Sequence, residues 1–182
     1  FINAPGCTKI GNFATTYYRY KNRIKLEDSS TEGELFVGEY YTIPKNTRNE
    51  DILNPYSYSY TGDENDAILQ TSTIVPIIRQ NDFLGVVGID VELGTFQIFV
   101  QRIKPFREGY VFLVANDGSY IARPNQSLIG KKISEAAPNL IRQYNITEKI
   151  KQGEPFEIVD KNMKDNELSY FSFAPFTVGN TN

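Results

Sequence analysis

The chain has 182 residues, a formal net charge of −3 and 40% hydrophobic residues, enough for a packed core in one domain or two small ones. It contains no histidine, which excludes Ser-His-Asp and Cys-His catalytic groups and histidine metal sites. Its weak negative charge offers nothing to nucleic acid or an anionic membrane, and a lone cysteine, Cys7, excludes a disulfide-rich scaffold and reads as a small apolar residue.

In chain order, residues 1–11 are punctuated by Gly and Pro, and Asn12 to Tyr20 reads as a strand rich in Thr and Tyr. Lys21-Asn22 turns it into Arg23-Ile24-Lys25-Leu26, and Glu27 to Gly33 is polar loop. From Glu34 to Thr42 the apolar spacing fits a short helix or a bent extended segment. Pro44 is expected to stop regular structure, leaving Lys45 to Glu50 as loop.

Asn54-Pro55 breaks the chain before the alternating Tyr56, Ser57, Tyr58, Ser59, Tyr60. A β-branched run ends at Pro76, Arg79 to Asp82 turns, and Phe83-Leu84-Gly85-Val86-Val87-Gly88-Ile89-Asp90-Val91 follows. Three neighbouring strands are the economical reading, with Asp90 at the end of an otherwise apolar one. There it faces a ligand, caps a turn or pairs with a lysine. The Asp63-Glu64-Asn65-Asp66 run lacks the spacing and glycine of a calcium loop and reads as a solvated turn.

Gly94 to Ile103 places Phe96, Phe99, Val100 and Ile103 at helical spacing, and Pro105 closes it. Gly109 to Ala115 reads as a strand, Asn116-Asp117-Gly118 as a turn, and Ser119 to Arg123 as the hairpin partner. Lys131 to Tyr144 is a helix with Ser134 as cap and Pro138 as interruption, followed by a turn from Ile146 to Ile150. Phe156 to Asp160 and Glu167 to Phe176 close the chain as strands. Thr71 to Ile77 and Ser169 to Phe176 both end in proline plus an apolar residue, an internal echo that fits two related α+β modules.

Together, Asn54-Pro55-Tyr56, the strand to Val75-Pro76-Ile77, Phe83 to Asp90, and Gly109-Tyr110-Val111-Phe112-Leu113-Val114-Ala115-Asn116-Asp117-Gly118-Ser119 resemble the double Cache (dCache) extracytoplasmic sensor domains of bacterial and archaeal chemoreceptors and sensor kinases. The resemblance implies tandem PAS-like modules with antiparallel sheets: a membrane-distal ligand-binding module over residues 1–103 and a membrane-proximal one over 104–182. It further implies a long helix expected before Phe1 and a last strand expected after Asn182, so the sequence reads as a fragment of a membrane-anchored receptor that dimerises. The implied function is non-enzymatic: a small polar ligand binds the distal module, without cofactor or metal, and a conformational signal passes to a kinase or chemotaxis output. Residue-by-residue transfer puts Tyr40, Tyr41, Tyr56, Tyr58 and Asp90 around that ligand. Amino-acid sensors of this family carry a basic residue two positions before an aromatic to hold the ligand carboxylate. Here that position is Gly38, leaving Lys45 or Arg48 as the loop cations, and the commonly acidic second position after the Pro-Tyr tyrosine is Tyr58. An amine, an amino-acid-like molecule or a small carboxylate is the expected ligand; a protein-interaction module and a carboxylate-pair enzyme are the competing readings.

Overall fold

The computed structural model describes residues 4–8, 10–28, 36–162 and 166–177. Expectations for residues 29–35, 163–165 and 178–182, including most of the polar loop to Gly33 and the tail from Gly179, lie outside the described residues. The chain is mixed α/β with antiparallel sheets throughout.

Strands β1 (Thr15–Tyr20) and β2 (Arg23–Asp28) form a hairpin across Lys21 and Asn22, whose positive φ values of 47° and 62° match the twist a two-residue hairpin turn needs. Helix α1 spans Glu39–Thr47. Pro44 therefore does not stop regular structure. It sits buried inside the helix, and its carbonyl accepts the N–H of Arg48, the αL cap, at 2.9 Å. The expected loop begins only after Thr47.

The first sheet is built on one long strand, β5 (Ile68–Arg79). Along one edge run two short pieces, β3 (Asp51–Ile52) and β4 (Tyr56–Tyr58), separated by Asn54-Pro55; β6 (Asp82–Glu92) runs along the other. The break is pinned, since Leu53 donates its N–H to the Ser72 carbonyl at 2.9 Å and accepts the Thr71 hydroxyl at 2.5 Å. β5 does not end at Pro76. Beyond Ile74 it is paired only with β6, so a residue lacking an N–H is tolerated on the side without a partner strand. Gln80 and Asn81, at φ 51° and 70°, make the β5–β6 turn.

Helix α2 (Leu93–Val100) follows β6 directly and stops short of Ile103. Its buried residues are Leu93, Gln97 and Val100, while Phe99 and Ile103 are exposed, so the inward face differs from the all-apolar stripe expected. Gln97 is inside because its Oε1 accepts the backbone N–H of Arg123 at 2.9 Å.

In the C-terminal half only β7 (Leu113–Val114) and β8 (Tyr120–Ala122) are regular within the expected hairpin. Its turn carries Gly118 at φ 83°, and the carboxylate of Asp117 takes the N–H and hydroxyl of Ser119 at 2.8 and 3.1 Å. Helices α3 (Ile133–Ala136) and α4 (Pro138–Tyr144) are the expected helix, interrupted before Pro138, and α5 (Ile146–Lys151) is the further turn expected from Ile146. Lys132, not Ser134, precedes the first of them, and Pro138 opens the second at its first position, where a missing N–H costs nothing. Strands β9 (Phe156–Lys161) and β10 (Leu168–Phe173) pair over their whole length, and Pro175 lies beyond the strand, unlike Pro76. A hydrophobic cluster of Tyr120, Ile133, Ala137, Ile141, Ile146 and Ile158 fills this half, with Phe112, Phe156 and Phe173 ringed around it.

Candidate functional site

Alternation decides which side chains of the first sheet meet. Gln70 and Ser72 point to one face of β5; Tyr56 is opposite Gln70 on β4, and Asp90 is opposite Ser72 on β6. Tyr60, just past β4, folds back over the same place. The polar groups form a ring. Ser72 donates to Asp90 Oδ1 at 2.6 Å, Tyr56 Oη lies 2.6 Å from Ser72 Oγ, and Gln70 Nε2 donates to Tyr56 Oη at 3.0 Å. Tyr60 Oη is 2.7 Å from Asp90 Oδ2 and 3.0 Å from Gln70 Oε1, and Tyr56 Oη reaches Asp90 Oδ1 at 3.4 Å.

Gln70 and Ser72 are 2% and 1% exposed, so the floor of the ring is buried, whereas Asp90 at its rim is exposed. Burial pushes the Tyr56 and Tyr60 phenols above their ordinary value, and the hydrogen bond from Tyr60 to Asp90 pushes that phenol further. Both phenols therefore remain donors across the neutral range. The aromatic wall continues outward: Tyr60 stacks on Tyr18 of β1 at 5.0 Å between ring centroids and meets Tyr58 edge-on at 4.9 Å.

The ring holds more contacts than protons. Its donors are one amide N–H of Gln70 and the hydroxyls of Tyr56, Ser72 and Tyr60, and a carboxylate at Asp90 adds none. In either orientation of the Gln70 amide, one of the short contacts lacks a hydrogen. None of the described ion pairs involves Asp90, and the hydrogen-bond partners described for it, Ser72, Tyr56 and Tyr60, are neutral.

Tyr56 and Asp90, expected to face one ligand, are thus brought together, and Tyr58 flanks them through Tyr60. Asp90 is two residues short of the end of β6 and hydrogen-bonds within the sheet, so it does not cap a turn, and among the described residues it pairs with no lysine. Tyr41 is placed farther along the sheet. Tyr41 packs against Phe36 and Phe83, at 4.7 and 5.3 Å between centroids. Phe83 is seven residues from Asp90, and simple alternation would put the two on opposite faces. A bulge sets Ile77 opposite Gly85 but Ile78 opposite Phe83, which returns Phe83 to the face of Asp90. Helix α1 therefore covers that face, but Tyr41 touches it roughly 20 Å along the strand from Asp90, at about 3.3 Å per residue. Lys45 lies 5.4 Å from the Tyr41 ring and Arg48 5.7 Å from the Phe83 ring, so both expected loop cations sit at that far end. Tyr40 accepts the N–H of Phe36 at 3.4 Å, and its ring stands 2.6 Å from where a Cβ on Gly38 would be, which leaves little room for a basic side chain there. The Asp63 run is a turn: the Asp63 carboxylate accepts the N–H of Asn65 at 2.9 Å and caps a single 3-10 turn.

Sequence reasoning missed Tyr60, Gln70, Ser72 and Tyr18. Tyr60 continues the alternation of Tyr56 and Tyr58 and was open to detection; the other three depend on strand register and hairpin packing.

The family model described as methyl-accepting chemotaxis protein-like, first PDC sensor domain, matches residues 2–98. The chain belongs to this family. The sensor domain is 27% identical over 99 residues to the methyl-accepting chemotaxis protein PscA of Pseudomonas syringae pv. tomato (strain ATCC BAA-871 / DC3000), an alignment covering 54% of this chain and 15% of PscA. Among solved structures it resembles the extracellular domain of the predicted histidine kinase mmHK1S-Z2, with 26% identity, a TM-score of 0.75, and coverage of 96% of this chain and 62% of that one. It also shares its fold with the ligand-binding domain of the Pseudomonas aeruginosa PAO1 amino acid chemoreceptor PctB in complex with L-Gln, at 18% identity and a TM-score of 0.56, covering 88% and 60%. The chain thus spans about three-fifths of these solved domains and a small part of PscA. It is an extracytoplasmic sensor domain of the chemoreceptor and histidine-kinase type, periplasmic or extracellular in location, with the Cache-type α/β architecture expected.

Proposed function

We propose that this sensor domain belongs to a membrane-anchored receptor and binds a small ligand carrying an ammonium or similar donor at Asp90, within a distal module over residues 1–103 that signals through a proximal module over residues 104–182. The observation that carries the reading is the exposed carboxylate of Asp90, aimed by Ser72, Tyr56 and Tyr60 and paired with no cation among the described residues. A ligand N–H donated to Asp90 Oδ2 frees the Tyr60 hydroxyl to donate to Gln70 Oε1 and completes the ring. Tyr58 and Tyr60 offer aromatic faces beside the charge, a contribution of about 0.5 to 2 kcal/mol. Tyr41 serves in packing α1 through Phe36 and Phe83. The L-Gln complex of PctB supports an amino-acid-like ligand, whereas Gly38 in place of a basic residue favours an amine without a carboxylate clamp.

Signal transfer follows from differential binding: a ligand moves the receptor only as far as it prefers one arrangement of the modules. Side-chain links described between the halves include Asn54 to the N–H of Asp117 at 3.3 Å and Gln97 to that of Arg123. A thermal-shift screen of amines, amino acids and small carboxylates tests the proposal, since a ligand at a hundred times its dissociation constant stabilises by about 2.7 kcal/mol. A binder whose shift is lost in Asp90→Ala and Tyr56→Ala supports the site, and one whose shift survives both refutes it. The competing reading, a protein-interaction module, draws on the opposite sheet face, where Val75, Ile77, Val87 and Ile89 are exposed. It predicts capture of a protein partner, reduced by Ile89→Glu, with no small-molecule shift.

A further inference from the structure

The C-terminal half contains a second place with an unanswered charge. Arg123 follows β8 and is only 8% exposed, yet its Nε and Nη1 are buried without a hydrogen-bond partner. Its backbone is fixed by the Gln97 side chain, and its guanidinium carbon lies 4.3 Å from the centre of the Tyr120 ring. Although the Tyr120 hydroxyl accepts a hydrogen bond from it, the guanidinium keeps two buried N–H groups without an acceptor, which is unfavourable and which an acceptor arriving from outside relieves. Arg123 lines a cavity of about 660 Å³, in the size range of small-molecule sites. Val100, Ile103, Leu128 and Ala136 give the cavity an apolar body, with Lys104 and Glu108 exposed at its rim. Neither described ion pair involves Arg123.

We propose that this cavity is a second ligand site, for a small organic carboxylate whose anionic head meets the Arg123 guanidinium and whose apolar body lies along Ile103 and Leu128. The planar guanidinium suits a carboxylate, and the apolar lining selects an acyl or aryl body over an inorganic ion. The site is chemically opposite to the Asp90 ring and is lined by different residues, drawn from the end of the first half and from the second, so each can fail without the other.

The test uses this chain in a low-chloride buffer, with sodium propionate, butyrate and benzoate as probes, propionamide and benzamide as neutral isosteres, and chloride and phosphate at matched ionic strength. The carboxylates are expected to raise the melting temperature saturably while the amides and inorganic anions do not. Arg123→Met, which removes the uncompensated charge at similar volume, is expected to fold at least as stably and to lose the response; Asp90→Ala retains it. Arg123→Lys, which keeps the charge but loses the planar fork, is expected to bind at least tenfold more weakly in calorimetry and stands in if Arg123→Met does not fold. Silence toward all three carboxylates, an equal response to their amides or to chloride, or undiminished affinity in Arg123→Lys overturns the proposal.

Discussion

Removing the Ser72 hydroxyl tests whether the Asp90 ring is energetically real. Ser72 is almost wholly buried, and its Oγ lies 2.6 Å from both Asp90 Oδ1 and Tyr56 Oη. A hydrogen bond to a charged group contributes about 1.5 to 3 kcal/mol, and the exposure of Asp90 lowers this to about 1 to 2 kcal/mol. Ser72→Ala changes little volume, so lost packing adds little. Tyr56 keeps the Gln70 amide as a partner, which limits the cost of the orphaned phenol. At about 2 to 4 °C per kcal/mol for a chain of this size, the melting temperature should fall by about 2 to 8 °C. Urea titration of the wild type, Ser72→Ala, Asp90→Ala and the double variant isolates the pair, with an expected coupling of about 1 kcal/mol. Strict additivity of the two single changes would show that the contact carries no energy and that Asp90 is not aimed by Ser72.

Other consequences concern packing and pH. A Cβ on Gly88 would stand 2.5 Å from Ile74 Cδ1 and 3.1 Å from the Thr73 carbonyl, so Gly88→Ala should lower stability by about 1 to 3 kcal/mol in urea titration. Burial alone would raise the carboxyl of Asp117, but hydrogen bonds from Lys132 and Ser119 outweigh it and hold Asp117 below the ordinary carboxylate range. Its stabilisation is thus present above the unfolded-state value and is lost as pH falls toward the lower folded one; Asp117→Asn should flatten that acid limb in denaturation from pH 6 to 2. The phenols of Tyr56, Tyr60 and Tyr120 are raised, chiefly by burial, so their share of stability is present below the ordinary tyrosine value and lost as pH climbs through it. Ultraviolet titration should show a delayed group of tyrosines, diminished in Tyr60→Phe.

Much of the fold was legible where a local rule acts alone. The Lys21-Asn22 and Gln80-Asn81 turns, the Asn54-Pro55 break and the strands around them follow from turn chemistry and alternation, and Tyr56 with Asp90 follows from the family resemblance laid on that frame. Errors arose where tertiary contacts overrode local preference. Pro44 stays helical, buried within a helix that packs on β5 and β6, and Pro76 stays in a strand because no partner strand lies on its other side. Phe99 looked like core by spacing, yet Gln97 took the inward position to hold Arg123. The bulge at Leu84, which places Tyr41 over the face of Asp90 but far along it, leaves only glycine as a trace in the sequence. Gln70 and Ser72 were illegible for a different reason: nothing about a glutamine and a serine in a β-branched run announces that they stand beneath a carboxylate until the register is known.

The central claim, that Asp90 receives a donor-bearing ligand, is tested most directly by calorimetric titration of the binder from the screen into the wild type and Asp90→Asn, which keeps the shape and removes the charge. The account predicts at least a tenfold loss of affinity in Asp90→Asn with the fold intact. Equal affinity in the two proteins would contradict it and move the ligand away from the ring.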